Sequence, residues 1–272
     1  MKFIYADSLD YVDPNYDFLE DRSRAGREPY WDDEFPHQYL EEPPFDGLLV
    51  SRGIVGDHKF PGKYTQSQAM RFRRVGARSF FRLTEPKYDN LLLFGDCGAF
   101  SFKDLDKPPY SPTEIIEFYE DAGFTHGCSV DHIIFDFERD LKGMESLPDA
   151  NASARVKERF DITLENADAF YKECASLPNF TPLGVVQGWS PGSMAESARR
   201  LVSMGYDYLA IGGMVPLSVE SIKIALSTIR TLIPDYVKLH ILGFGKINQV
   251  TEFTNFGIAS FDTTSPMLRA FK

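Results

Sequence analysis

Acids, an amide and glycines stand directly after short apolar runs in this 272-residue chain. Asp96 follows LLLFG, Asp131 follows CSV with Asp136 and Glu138 beyond, Gln187-Gly188 follows LGVV, and Asp262 follows IASF. Gly212-Gly213 and Gly243-Gly245 end two further runs. Carboxylates can serve as nucleophile and as general acid/base at an anomeric carbon, the logic of retaining glycosyl transfer. A further Asp accepts hydrogen bonds from the N1–H and amino group of a guanine-type ring, and Gln donates to a carbonyl oxygen. Glycine lets backbone N–H groups approach a ligand closely. No serine–histidine pairing and no triad of His and acids accompanies them. The residue types therefore point to glycosyl transfer with a planar, hydrogen-bonding base as leaving group.

Each position also has a plainer reading. A strand-end Asp serves as well as the N-cap of the helix that follows. Gly212-Gly213 forms a tight turn, and Gln187 satisfies loop backbone. Cys97 and Cys128 read as small buried residues rather than nucleophiles. His132 and His240 read as satisfied core or rim histidines. What favours a site is the coincidence of several such residues at one end of one sheet.

The elements that must position them are legible as an alternation. Apolar runs at 47–51, 91–95, 128–134, 183–187, 207–212, 238–243 and 258–262 read as strands, with one more at Lys2 to Tyr5. Helical patterns cover 151–176, 193–204 and 218–232, and Ser111-Pro112-Thr113-Glu114 sets a capped helix start. Strand–helix repeats imply parallel strands with right-handed crossovers. The expected fold is α/β, a (β/α)8 TIM-like barrel, with an open doubly wound sheet as the alternative; functional groups then gather at the C-terminal strand ends. Residues 1–46, rich in Pro, Tyr and acids, are expected to form an irregular extension packing on a catalytic barrel of residues 47–272.

Composition narrows the class. The apolar fraction of 43% supplies a packed core. No apolar run approaches the roughly 20 residues that span a bilayer, and MKFIYADSLD has no signal-peptide pattern, so no membrane partner and a cytoplasmic setting are expected. Cys97, Cys128 and Cys174 form no CxxC pair, and no GxGxxG follows a strand, so neither a metal nor a cofactor is expected. The net charge of −11 argues at first against a nucleic-acid partner. Its distribution weakens that argument: residues 1–46 carry −9, whereas 52–87 hold nine Lys/Arg against Asp57 and Glu85. Lys63, Arg71, Arg73 and Arg74 are the candidates there for contact with a nucleic-acid backbone, the plainer reading being a solvated helix face.

Five motifs occur in order: GDCGAF (95–100), GVVQG (184–188), YLAIGGM (208–214), LHILGFG (239–245) and FDTTSP (261–266). Together they resemble the tRNA-guanine transglycosylase superfamily, with its DSGGF, G[IV]VQG, YAIGGL, [LM]G[VG]G and FDCVxPTR, over roughly residues 47–266. DSLDYVDPNYDF (7–18), FDGLLVSRGIV (45–55), SVDHI and the ending SPMLRAFK look more like its DpdA branch, phage and bacterial enzymes that place 7-deazaguanines into DNA. The resemblance implies a TIM barrel that exchanges guanine in a polynucleotide, DNA before tRNA, for a 7-deazaguanine such as 7-cyano-7-deazaguanine. It implies Asp262 as the nucleophile that forms a covalent glycosyl-enzyme and Asp96 as the acid/base. Asp131 matches the base-recognition acid, with Asp136 its rival. Gln187 and the Gly213 N–H, beside Gly212, match the groups that bind the base carbonyl, and Met214 sits where a backbone carbonyl meets the 7-substituent. The superfamily's C-terminal CxCxxC…H zinc motif has no counterpart, and Ser265-Pro266-Met267 replaces PTR. The sequence ends ten residues after Asp262, so the last barrel helix is expected to be short, missing or supplied by a partner, a homodimer or second subunit. That departure keeps a non-catalytic nucleic-acid-binding subunit as a rival, against which stands the presence of both Asp96 and Asp262.

Overall fold

The computed structural model describes residues 1–139 and 153–265. Eight parallel strands close in sequence order into a barrel: β1 (Lys2–Ala6), β2 (Gly47–Ser51), β3 (Leu92–Asp96), β4 (His126–Cys128), β5 (Thr181–Val186), β6 (Tyr208–Ile211), β7 (Lys238–Ile241) and β8 (Ile258–Thr263). Single-turn helices α1 (Pro36–Tyr39) and α2 (Arg52–Val55) lead to α3 (Gln66–Phe80), α4 (Pro112–Ala122), α5 (Ala154–Cys174), α6 (Pro191–Met204) and α7 (Val219–Leu232); 3-10 segments Pro86–Tyr88 and Ile247–Phe256 complete the described order. The expected last helix lies outside the described residues.

Local chemistry sets the helix starts. The Ser111 hydroxyl accepts from the Glu114 N–H at 3.3 Å while the Glu114 carboxylate accepts from the Ser111 N–H at 3.0 Å, the reciprocal box that the sequence announces. Ser153, Ser190 and Ser218 cap α5, α6 and α7 in the same sense. Ser190 followed by Pro191 starts α6 two residues before the expected 193.

Successive residues of a strand face opposite sides. Ile4, Leu49, Phe94, Cys128, Leu183, Val185, Tyr208 and Ala210 fill the barrel interior, and their neighbours pack outward under the helices. The same parity carries Asp96 inward two residues past Phe94, Gln187 two past Val185, Gly212 two past Ala210, and Asp262 two past Ser260.

Two expectations change. The run 128–134 is not one strand: the ladder of β4 ends at Cys128, and 129–138 crosses the mouth as irregular chain. Side chains there capture backbone donors that a ladder would use. Ser129 Oγ accepts from Val185 N (3.0 Å), and Thr163 Oγ1 and Gln187 Oε1 accept from His132 N and Ile134 N (3.0 and 3.1 Å). Secondly, the barrel begins before residue 47. Lys2–Ala6 pairs with both β2 and β8, with Ile4 opposite Gly47 and Asp262, so the acidic N-terminal segment contains the strand that closes the sheet. Ile4 is fully buried inside the barrel. Ile4→Ala is therefore expected to cost about 2–4 kcal/mol in chemical denaturation, where a dispensable extension would tolerate it within about 0.5 kcal/mol.

Candidate active site

The C-terminal mouth gathers Asp96, Asp131, Gln187, Gly212, Gly213 and Asp262 from the ends of β3, β4, β5, β6 and β8 or the chain just beyond them. Asp131 is the hub. Its Oδ1 accepts from the Cys97 thiol at 3.1 Å and its Oδ2 from Gln187 Nε2 at 2.7 Å. Gln187 Oε1 accepts the Ile134 N–H, which orients the amide so that Nε2 faces the acid. Glycine is required beside it twice. A Cβ on Gly212 would sit 2.2 Å from Gln187 Nε2, and Gly213 has φ +72 with Ile134 O 2.8 Å from where its Cβ would be. Met214 is buried, and its carbonyl accepts the Leu217 N–H at 3.1 Å.

Asp262 is buried, and its Oδ1 accepts from the Gly243 N–H at 3.0 Å and lies 3.0 Å from His240 Nε2. Asp96 sits across the mouth on β3, paired in register with Ser51 of β2. Its Oδ2 accepts the Gly98 N–H at 2.9 Å, and the Ser51 hydroxyl also donates to the carboxylate. Those donors do not offset burial and the neighbouring charges of Asp131 and Asp262, which push its pKa up to about 7. Burial also raises Asp131, against the hydrogen bonds from Cys97 and Gln187, and it drives the Cys97 thiol well above its ordinary value. A carboxyl that titrates near neutrality beside two further acids is suited to take and return a proton.

Asp96, Cys97 and Asp131 bring ligand atoms within 4.8 Å of one another. In this structure the cluster is hydrogen-bonded, the Cys97 thiol donating to Asp131 Oδ1.

Other expected residues lie elsewhere. Asp136 is exposed and shares a separate surface pocket of about 250 Å³ with Lys103, Arg155 and Arg159, so the chain brings Asp131 and not Asp136 to Gln187. Arg71, Arg73 and Arg74 line a groove of about 1080 Å³ along α3 with Tyr30 and Trp31. The Arg71 guanidinium lies 4.3 Å over the Trp31 ring, and Arg73 donates to Gly56 O at 3.1 Å and lies 3.6 Å from Asp57. Lys63 and Arg74 are exposed, with no ion pair among the described residues. Sequence reasoning passed over one contributor, Ser51, and read two more, Cys97 and His240, as buried residues without a part in the site. Strand parity was the available signal for two of them, since Ser51 lies two residues past inward Leu49 and His240 is the polar residue of an apolar strand.

Asp96 also links pH to stability. Its pKa stands above the ordinary aspartate value of 3.8, so between about pH 4 and 7 the folded chain holds a proton that the unfolded chain has released. Stability contributed by this group is thus lost as pH rises through that window. Asp96→Asn is expected to gain on the wild type across it, by on the order of 1–4 kcal/mol above pH 7 in denaturant titrations, and to show no such gain near pH 3.

A family model described as queuine tRNA-ribosyltransferase matches residues 96–272, which takes in Asp96, Asp131, Gln187 and Asp262. The chain is 38% identical over 277 residues to a DNA-guanine transglycosylase of Salmonella montevideo, covering 100% of this chain and 63% of that protein. It is 28% identical over 189 residues to a tRNA-guanine(15) transglycosylase of Pyrococcus abyssi, covering 67% of this chain and 29% of that protein. The chain therefore spans less than two thirds of the length of either relative. No helix among the described residues is long and apolar enough to cross a membrane. A closed parallel barrel whose acids cluster at the C-terminal mouth, matched by that model from Asp96 to the end, makes this chain a member of the queuine tRNA-ribosyltransferase family.

Proposed function

We propose that the chain is a guanine transglycosylase that replaces a guanine in DNA with a 7-deazaguanine such as 7-cyano-7-deazaguanine. The observation that carries this reading is the buried Asp96, its pKa pushed up to about 7 by burial and by the charges of Asp131 and Asp262, at the same mouth as the Asp131–Gln187 pair. A target nucleotide must leave the stack to reach such a mouth. Asp262 attacks C1′ of the sugar, the C1′–N9 bond breaks, and its electron pair leaves on guanine, which Asp96 protonates. The incoming base then loses its N9 proton to Asp96 and attacks C1′, and the aspartyl ester oxygen departs to restore the Asp262 carboxylate. Two acids thus split one displacement into two.

Recognition follows from the donors on hand. Asp131 accepts from N1–H and the 2-amino group, while the second N–H of the Gln187 amide and the Gly213 N–H donate to O6. The 7-substituent lies beside Met214. DNA is favoured over tRNA because likeness to the DNA-guanine transglycosylase runs the whole length of this chain, against 67% for the tRNA relative. Arg71 and Arg74 are assigned to the polynucleotide backbone, with Lys63 at the turn before α3. Arg73 is already held by Gly56 and Asp57 and contributes less.

Incubation with labelled guanine and either DNA or tRNA tests the reading directly. Label is expected in DNA; label in tRNA alone reassigns the polynucleotide, and label in neither favours a non-catalytic subunit. Asp262→Ala is expected to abolish both exchange and the covalent adduct on denaturing gels, and normal incorporation by that variant would reject the nucleophile. Gln187→Ala is expected to weaken base binding about tenfold or more, measured as KM for guanine. Removing Arg71 and Arg74 singly is expected to lower the slope of log K for DNA against log salt by about 1 each.

A further inference from the structure

Behind Asp262 runs a hydrogen-bonded chain closed to solvent. His240 Nε2 lies 3.0 Å from Asp262 Oδ1, and the Gly243 N–H donates to the same oxygen at 3.0 Å. His240 Nδ1 lies 2.5 Å from Ser260 Oγ, and Tyr208 Oη lies 2.6 Å from that same Oγ. His240 and Ser260 are 0% exposed and Tyr208 is 5% exposed, so bulk solvent does not reach the chain. Asp262 Oδ2 accepts no hydrogen bond among the described residues.

The direction of each bond follows from the groups. A carboxylate only accepts, so His240 Nε2 carries a hydrogen. A phenol donates more strongly and accepts more weakly than an aliphatic hydroxyl, so Tyr208 donates to Ser260. The single Ser260 hydrogen then goes to Nδ1, which must be bare. Ring orientation is held as well, because Phe94 stacks on His240 at 5.2 Å, and on its other neighbour His126 at 4.5 Å. A register irregularity in the β7–β8 ladder at Leu239/His240 puts His240 opposite Ser260, from which its ring reaches Asp262 two residues on.

We infer that Tyr208, Ser260 and His240 form a positioning relay that grips Asp262 through Oδ1 and leaves Oδ2 as the oxygen that attacks the anomeric carbon. The inference rests on Asp262 being the nucleophile. Two neutral donors steady the carboxylate without neutralising it. When Oδ2 becomes the ester oxygen bonded to C1′, Oδ1 becomes its carbonyl oxygen and keeps both donors. The donors are in place before the reaction and do not reorganise during it. Ser260 holds the tautomer: without its hydrogen on Nδ1, the ring proton can move to Nδ1 and leave the Nε2 lone pair facing the carboxylate. These are positioning residues, since none of the three touches the sugar or the base.

Two measurements test it. Nitrogen NMR of the wild-type chain labelled with 15N-histidine reads His240 directly. A hydrogen on Nε2 and none on Nδ1 is expected; the opposite tautomer or a doubly protonated ring overturns the relay, and no variant has to fold for this result. In single-turnover assays on guanine-containing DNA, His240→Phe keeps the ring stack but removes the donor. It is expected to slow covalent adduct formation by on the order of 100-fold with KM for the base changed less than about threefold, while His240→Gln, which retains an N–H, recovers part of the rate. Ser260→Ala is expected to fall between wild type and His240→Phe. A folded His240→Phe that forms adduct at the wild-type rate overturns the inference. Asp262→Asn separates the two levels: if it is inactive while His240→Phe is normal, only the relay fails, and if it is active, the nucleophile assignment fails.

Discussion

Three carboxylates cannot share one barrel mouth unless each is met by its own donors, and this electrostatic constraint organises the site. Asp262 is held by Gly243 and His240, Asp131 by Cys97 and Gln187, and Asp96 by Gly98 and Ser51. The donors are unequal to the task in a graded way. At Asp96 burial and two neighbouring charges outweigh them, so its carboxyl titrates near neutrality; at Asp131 burial also raises the carboxyl, opposed by a side-chain donor on each oxygen. Identical side chains thereby acquire different chemistry from their surroundings. The supporting residues are structural in appearance, a buried serine, thiol, glycine and histidine, yet each bears on how one acid carries its charge.

Closure of the barrel makes that clustering possible. Only β1, drawn from the acidic N-terminal segment, joins β8 to β2, and it lies directly beside the strand that carries Asp262. The rest of the segment binds to the basic stretch that follows. Tyr64 donates to Asp7 at 2.8 Å, and the Arg82 guanidinium donates to the carbonyls of Tyr30 and Asp33. Arg52 pairs with Asp57 and Arg78 with carbonyls of Tyr88 and Leu91. Much of the local positive charge is therefore spent on assembling the fold, leaving Lys63 and Arg74 exposed. A charge count along the chain cannot tell these two uses apart, since ion pairing and cation–π contact depend on where the rings and acids arrive.

Much of the architecture was legible because it rests on local periodicity. Seven of the eight strands end within two residues of where their apolar runs predict, and the Ser111 capping box is written out in four consecutive residues. The exception is instructive. CSVDHII is as apolar as a strand, but Ser129, Thr163 and Gln187 side chains take over backbone partners, and the ladder stops after Cys128. Propensity describes a segment by itself, and here distant side chains compete for its hydrogen bonds.

The candidate site divides along the same line. Residue type and position after an apolar run were enough to single out Asp96, Asp131, Gln187, Gly212-Gly213 and Asp262; alternation accounts for Asp96, Gln187, Gly212 and Asp262, each two residues past an inward one, whereas Asp131 lies beyond the end of β4. The sequence by itself also determined a parallel α/β order and the acid-rich chemistry of the strand ends. Only the tertiary structure decided that β1 closes the sheet, that Asp131 rather than Asp136 meets Gln187, and that His240 reaches Asp262 with Ser260 behind it. Each of these depends on contacts between strands or loops up to about 260 residues apart, with directions set by barrel closure and burial, and no pattern along the chain encodes a distance across it.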